Sequence, residues 1–220
     1  MPRRPRIVIP KLAYHVTQRG NYRQKVFEKE ADYKQYSYWL NEYAQQNNLS
    51  ILAYCLMNNH VHFIVVPDNE ESLARTFNTV HMRYAQYYNR KKKAHGHLWQ
   101  GRFFSCILDT DHLYRAIRYV ERNPVRAKIV KKAWDYPWSS AKMHIGEDQN
   151  PRITLSSRFE MMDEKSWRGY LHEEDEEINK EIRLKTLRGL VVGTQEFISR
   201  LEKRLNCSLK CLSQGRPKRA

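Results

Sequence analysis

The chain has 220 residues, with 39 Lys or Arg against 24 Asp or Glu, a formal net charge of +15. That length suffices for one domain with its own core and a smaller appendage, and the charge points to a polyanionic partner, nucleic acid above all. No apolar run approaches the ~20 residues of a membrane span, and Ile7-Val8-Ile9 is too short for a signal-peptide core, so a cytoplasmic location and no membrane partner are expected.

Residues 1–10 read as a basic, Pro-punctuated arm. Residues 11–18 alternate Leu12, Tyr14, Val16 against Ala13, His15, Thr17, the pattern of a first strand. A helix is expected from about residue 30, with Tyr33, Tyr36 and Leu40 at helical spacing, ended by Asn47-Asn48. Residues 50–57 and 60–66 read as two strands joined by the Asn58-Asn59 turn, a tight antiparallel hairpin closed by Pro67. A second long helix covers about 73–90, with Leu73, Phe77, Val80, Tyr84 and Tyr87 on its buried face. A fourth strand spans 103–108. Asp109-Thr110-Asp111 caps a third helix running to Arg122 or Asn123, where Asn123-Pro124 stops it. A further turn follows over 125–130.

This order predicts an α+β fold, a ferredoxin-like antiparallel sheet with helices on one face. Residues 141–163 show no clear periodicity, and 175–206 read as two helical pieces divided near Gly189 or Gly193. The expected organisation is an arm (1–10), a main domain (11–141) and a mainly helical C-terminal region (142–220) ending in a basic tail. The four Cys (Cys55, Cys106, Cys207, Cys211) form no disulfide framework. Cys55 and Cys106 fit small core residues of a reduced protein.

Chemistry concentrates at His60-Val61-His62. Alternate strand residues share a face, so the two imidazoles lie about 7 Å apart and can share a metal ion. The alternative is two strand histidines satisfied by hydrogen bonds. A rival pair, His95-Gly96-His97, sits in a Lys-rich loop and lacks preorganisation. In the third helix Leu113, Ile117 and Val120 form the core stripe. Tyr119 falls off that stripe, on a side with Arg115, Arg122 and Asn123. A surface Tyr among solvated charges is the bland reading of that side.

Met57-Asn58-Asn59-His60-Val61-His62 resembles the His-hydrophobic-His signature of the single-tyrosine HUH transposases, and Arg118-Tyr119-Val120-Glu121-Arg122-Asn123-Pro124-Val125-Arg126-Ala127 resembles their nucleophile helix. Tyr14-His15-Val16-Thr17-Gln18-Arg19-Gly20-Asn21, Leu98-Trp99-Gln100-Gly101-Arg102-Phe103 and Tyr136-Pro137-Trp138-Ser139-Ser140 are further matches. The set is similar to the REP-associated tyrosine transposase branch. The resemblance implies a single-strand endonuclease and strand transferase acting on palindromic hairpin repeat DNA through a 5′-phosphotyrosine. It implies Tyr119 as nucleophile and Mg²⁺ or Mn²⁺ held by His60, His62 and, one helical turn after the Tyr, Asn123. The alternatives are a non-cleaving hairpin DNA- or RNA-binding protein and a metal-dependent hydrolase without a covalent step.

Candidates for phosphate contact are Arg3, Arg4 and Arg6 on the arm, Arg19 and Arg23 after the first strand, and Arg83, Arg102, Arg115 and Arg126. Such contacts position DNA without reading sequence. Tyr22, Tyr87, Tyr88 and Trp99 are candidates for base stacking. A monomer is expected, because the C-terminal region can cover the surfaces a dimer would use; a dimer is the alternative.

Overall fold

A computed structural model describes residues 6–148, 150–157 and 159–209; Arg3, Arg4, Cys211 and the basic tail lie outside the described residues. Its elements are β1 (Ala13–Arg19), α1 (Glu30–Gln46), β2 (Leu49–Met57), β3 (His60–Pro67), α2 (Ser72–Lys92), β4 (Phe104–Leu108) and α3 (Thr110–Glu121). The single turns α4 (Asn123–Arg126) and α5 (Ala141–His144) follow, then α6 (Glu164–Tyr170), α7 (Glu176–Arg188), β5 (Val191–Val192) and α8 (Gln195–Leu205). No helix among the described residues is long and apolar enough to cross a membrane.

The sheet order is β2-β3-β1-β4-β5. The first four strands pair antiparallel, as the ferredoxin-like reading requires, and β5 joins β4 in parallel. The hairpin closes with Met57 opposite His60. Neither Asn of its turn takes a positive φ. The turn is held from outside instead: Val26 and Phe27 donate their amides to the Asn58 carbonyl, and Gly20 donates to that of Asn59.

Strand alternation separates two cores. Tyr14, Val16, Tyr54, Leu56, Val61, Phe63 and Val65 pack against α1 and α2 through Tyr36, Leu40, Phe77 and Tyr84. Ala53, Cys55, Ile64, Cys106 and Leu108 turn the other way, toward Leu113, Ile117 and Val120 of α3 and Ile178 and Ile182 of α7. The α+β class and the C-terminal helices match expectation, but the helices cover both faces of the sheet rather than one. The reason is visible in β2, whose apolar run continues through both parities, Ile51 to Met57, so that neither side tolerates water.

Asp109 caps α3 by accepting from the His112 amide. Pro124 falls within the first residues of α4, where a missing N–H costs nothing. α7 ends on Gly189 at φ 66°, a left-handed cap open to glycine, and α8 begins on a Thr194 cap. Between the aperiodic stretch 141–163 and α7 lies α6, for which no helix was expected and whose Trp167 is fully buried.

Both original sheet edges are covered. β5 runs along β4. On the far side the Leu56 amide donates to Trp138 O, Ser140 donates to Tyr54 O, and Ser156 donates to Ile51 O.

Candidate active site

Antiparallel pairing sets Arg19 opposite His60 and Thr17 opposite His62, which makes His15 a diagonal neighbour of His62 on the same face. His15 Nε2 lies 2.8 Å from His62 Nδ1, and His15 Nδ1 lies 2.7 Å from Thr186 Oγ1 on α7. His60 Nδ1 lies 2.5 Å from Asn59 Oδ1. Burial, with Arg126 nearby, lowers the His15 pKa to about 3. Burial and the Arg19 charge lower His60 to about 4. Burial and the two neighbouring imidazoles hold His62 well below its usual value. All three rings are therefore neutral at pH 7.

Tyr119 of α3 stands edge-on to this group, its ring centre 5.5 Å from His15 and 5.8 Å from His62. It is buried, not set on a solvated helix face with Arg115 and Arg122. Arg115 is exposed, and Arg122 donates from Nη1 to the Leu171 carbonyl. The cation at Tyr119 is Arg126, whose guanidinium carbon is 4.3 Å from the ring centre. Burial raises the Tyr119 pKa, and Arg126, Arg183 and Arg19 oppose that rise.

A cavity of about 290 Å³ joins these groups. His15, Thr17, Arg19, His60, His62 and Gln100 line one part; Tyr119, Asn123 and Arg126 line another; and Glu176, Asn179, Lys180, Arg183 and Thr186 of α7 close it. Four cations face one carboxylate, Glu176. Burial lowers the pKa of Arg19, and Arg23 and Arg183 lower it further. Like charges held this close are suited to receive an anion.

Among the described residues no group of three or more His, Cys, Asp or Glu could hold a metal ion. A shared ion would therefore rest on two imidazoles and a donor of another kind. Neutral rings fit that role. The Nδ1 of each is engaged, by Asn59 and by His15, which leaves both Nε2 atoms. The Asn123 amide nitrogen donates back to the carbonyls of Tyr119 and Val120, at 3.2 and 3.1 Å. Its Oδ1 is the end left for a ligand. The residues present thus fit a divalent cation.

Of the expected phosphate contacts among the described residues, only Arg19 and Arg126 line this cavity. Arg6 is spent within the fold: it lies 3.5 Å over the Phe103 ring and donates to the Phe103 carbonyl and Ser105 hydroxyl. Arg83 bonds the Tyr43 hydroxyl on α1, across the sheet from the histidines. Arg23 and Arg102 are exposed. Trp99 donates to the His81 carbonyl inside the core, Tyr87 donates to Asp32 of α1, and Tyr88 donates to the Lys25 carbonyl in the segment before α1. Tyr22 alone of the four aromatics is open, 93% exposed, and it takes a positive φ of 50°.

The family model described as "Transposase IS200 like" matches residues 8–123. The chain belongs to the IS200-like transposase family. It is thus a transposase-type enzyme that acts on DNA. Among solved structures the transposase is similar to a REP-associated tyrosine transposase bound to a REP hairpin. The two share 18% identity over 73% of this chain and 95% of that one, with a TM-score of 0.54, a likeness of fold. A protein described as a transposase from Deinococcus radiodurans R1 is 20% identical over 58% of this chain and 92% of its own, with a TM-score of 0.38. No curated protein matches the transposase.

The family match ends at Asn123, yet the transposase draws Arg126, Lys180, Arg183 and Thr186 from beyond it. Sequence reasoning expected Arg126 as a phosphate contact but gave no site role to Lys180, Arg183, Thr186 or His15. The signals were the place of His15 in the motif over 14–21 and on the strand face shared by Ala13 and Thr17, and the polar residues Asn179, Lys180, Arg183 and Thr186 spaced along one helix.

Proposed function

We propose that the transposase cuts and rejoins single-stranded hairpin repeat DNA through Tyr119. One observation carries this reading: a buried Tyr, ringed by cations, stands within ring contact of two neutral histidines in one cavity. The Tyr119 oxygen attacks the scissile phosphorus and loses its proton. The bond from phosphorus to the 3′-oxygen breaks, and that oxygen takes up a proton. The products are a 5′-phosphotyrosine and a free 3′-OH. The phosphoester persists in the adduct, so attack by a 3′-OH reverses the step without a nucleotide cofactor.

Arg126 stabilises the phenolate that develops on Tyr119. Arg19, Lys180 and Arg183 offset charge on the phosphoryl oxygens. His60 and His62 through Nε2, with Asn123 through Oδ1, are the residues that would hold Mg²⁺ or Mn²⁺, and nitrogen donors favour Mn²⁺. Such an ion supplies Lewis-acid polarisation of the phosphate. Hairpin shape and unpaired bases supply recognition, with Tyr22 open for stacking.

Incubation of a labelled single-stranded hairpin oligonucleotide with the protein and Mn²⁺ tests the reading. A protein–DNA adduct that disappears in Tyr119→Phe is expected. Binding without an adduct would establish a non-cleaving module. Cleavage without an adduct, retained in Tyr119→Phe, would establish a hydrolase.

A further inference from the structure

The hydrogen bonds that run from α7 to β3 have one consistent direction. The Ile182 carbonyl only accepts, so the Thr186 hydroxyl, 2.6 Å away, donates to it. A hydroxyl has a single proton. Thr186 Oγ1 must then accept from His15 Nδ1 at 2.7 Å. A neutral imidazole protonated on Nδ1 presents a lone pair at Nε2. His62 Nδ1, at 2.8 Å, donates into that lone pair. The two rings are parallel to within 5° with centres 5.0 Å apart. At that N···N distance they lie edge to edge, so the bond falls in both ring planes. His62 is left with an unprotonated Nε2 and a fixed ring plane.

We propose that His15 and Thr186 are positioning residues that prepare His62 as a metal ligand. The preparation reaches His62 from α7, outside the family-matched segment. The inference rests on the reading of His60 and His62 as the cation site. The two ligands differ in how they are held. His60 is oriented by Asn59, its neighbour in the turn. His62 is oriented by a chain whose members are 47 and 171 positions apart in sequence. Thr186 and Ile182 are buried, and the Thr186 hydroxyl also lies 3.1 Å from the Cys106 thiol, which can donate to it. With its proton given to Ile182, the Thr186 oxygen is an acceptor only, and its shorter contact is the one to His15. A partner beyond the ligand typically sets metal affinity by about 10- to 100-fold.

The test is Mn²⁺ titration of the full chain, followed by electron paramagnetic resonance, with nitrogen-15 spectra of the metal-free histidines at fixed pH. Thr186→Val is expected to weaken Mn²⁺ binding by about 10- to 100-fold, and Thr186→Ser to restore it. The spectra are expected to show His15 and His62 both protonated at Nδ1, with His62 losing that signature in Thr186→Val. If the unmutated chain binds no Mn²⁺, or His62→Ala binds as tightly, the cation reading itself fails. If binding needs His62 but Thr186→Val binds as tightly as the unmutated chain, the positioning role is overturned. A His62 protonated at Nε2 in the unmutated chain overturns it without any variant.

Discussion

Arg126 grips Tyr119 twice: its guanidinium lies over the ring at 4.3 Å, and its Nη2 donates to the Tyr119 carbonyl at 2.7 Å. One side chain thus fixes the backbone of the proposed nucleophile and sets the field at its ring. Arg126→Ala is expected to lower the single-turnover rate of adduct formation by about 10²–10³, the usual effect of removing one preorganised donor. Burial raises the Tyr119 pKa and Arg126 opposes it. Loss of the cation therefore raises that pKa further, and the rate profile shifts toward higher pH. Arg126→Lys, which keeps charge but not the planar fork, is expected to recover only part of the rate. Adduct yield against time, measured across pH, checks both effects.

Acid should unfold the protein early. Burial lowers His15 and His81 to about 3, and burial with the Arg19 charge lowers His60 to about 4. The unfolded chain takes up these protons below its ordinary value near 6.5, while the folded chain refuses them. Stability is therefore full above that value and falls as pH drops toward 4, by about 1.4 kcal/mol per pH unit for each such imidazole. Urea midpoints at pH 7.5 and 5 check the sign; equal midpoints would contradict it.

Glu121, fully buried two residues past Tyr119, accepts from Ser140 Oγ at 2.5 Å, His144 Nδ1 at 2.6 Å and Trp167 Nε1 at 2.9 Å. Burial alone would lower the His144 pKa, but the Glu121 charge and hydrogen bond outweigh it and the net shift is upward. Glu121→Ala leaves these donors without their acceptor and is expected to cost about 3–5 kcal/mol. Glu121→Gln keeps the shape and is expected to cost less. Chemical denaturation of both variants gives the comparison.

A monomer is the expected state in solution. β4 is paired by the two-residue β5, and β2 is hydrogen-bonded by the segments at 138–140 and 156, which leaves only short edges for a second chain to add to. Sedimentation at micromolar concentration is expected to return a mass near 26.5 kDa. A concentration-dependent mass twice as large would refute it.

The first four strands and the helices α1, α2, α3, α7 and α8 were legible because their periodicities are strong; β5 and α6 were not read. The His60/His62 face and the Asp109 cap followed from local rules alone. The second helical layer was not read, although the unbroken apolar run of β2 carried that information. His15 looked like one polar residue in an alternating strand, because its partners lie 47 and 171 positions away. Arg6 and Arg83 read as phosphate ligands because a guanidinium looks the same in sequence whether it rests on an aromatic ring or in water. Lys180 and Arg183 belong to a helix whose docking only the fold defines.

The parity of β3 decides which layer of the molecule is chemical. Val61 and Phe63 belong to the aromatic core, and His62 to the cavity behind it. Insertion or loss of one residue ahead of His60 within the hairpin would invert every side chain of the strand. Two imidazoles would enter a hydrocarbon layer, and a Phe would meet the phosphate. A two-residue change would keep the parity but carry the histidines about 7 Å along the sheet, away from Tyr119. The hairpin therefore tolerates substitution far better than any change of length, and variation in length should fall in the loops after α2 and before α6.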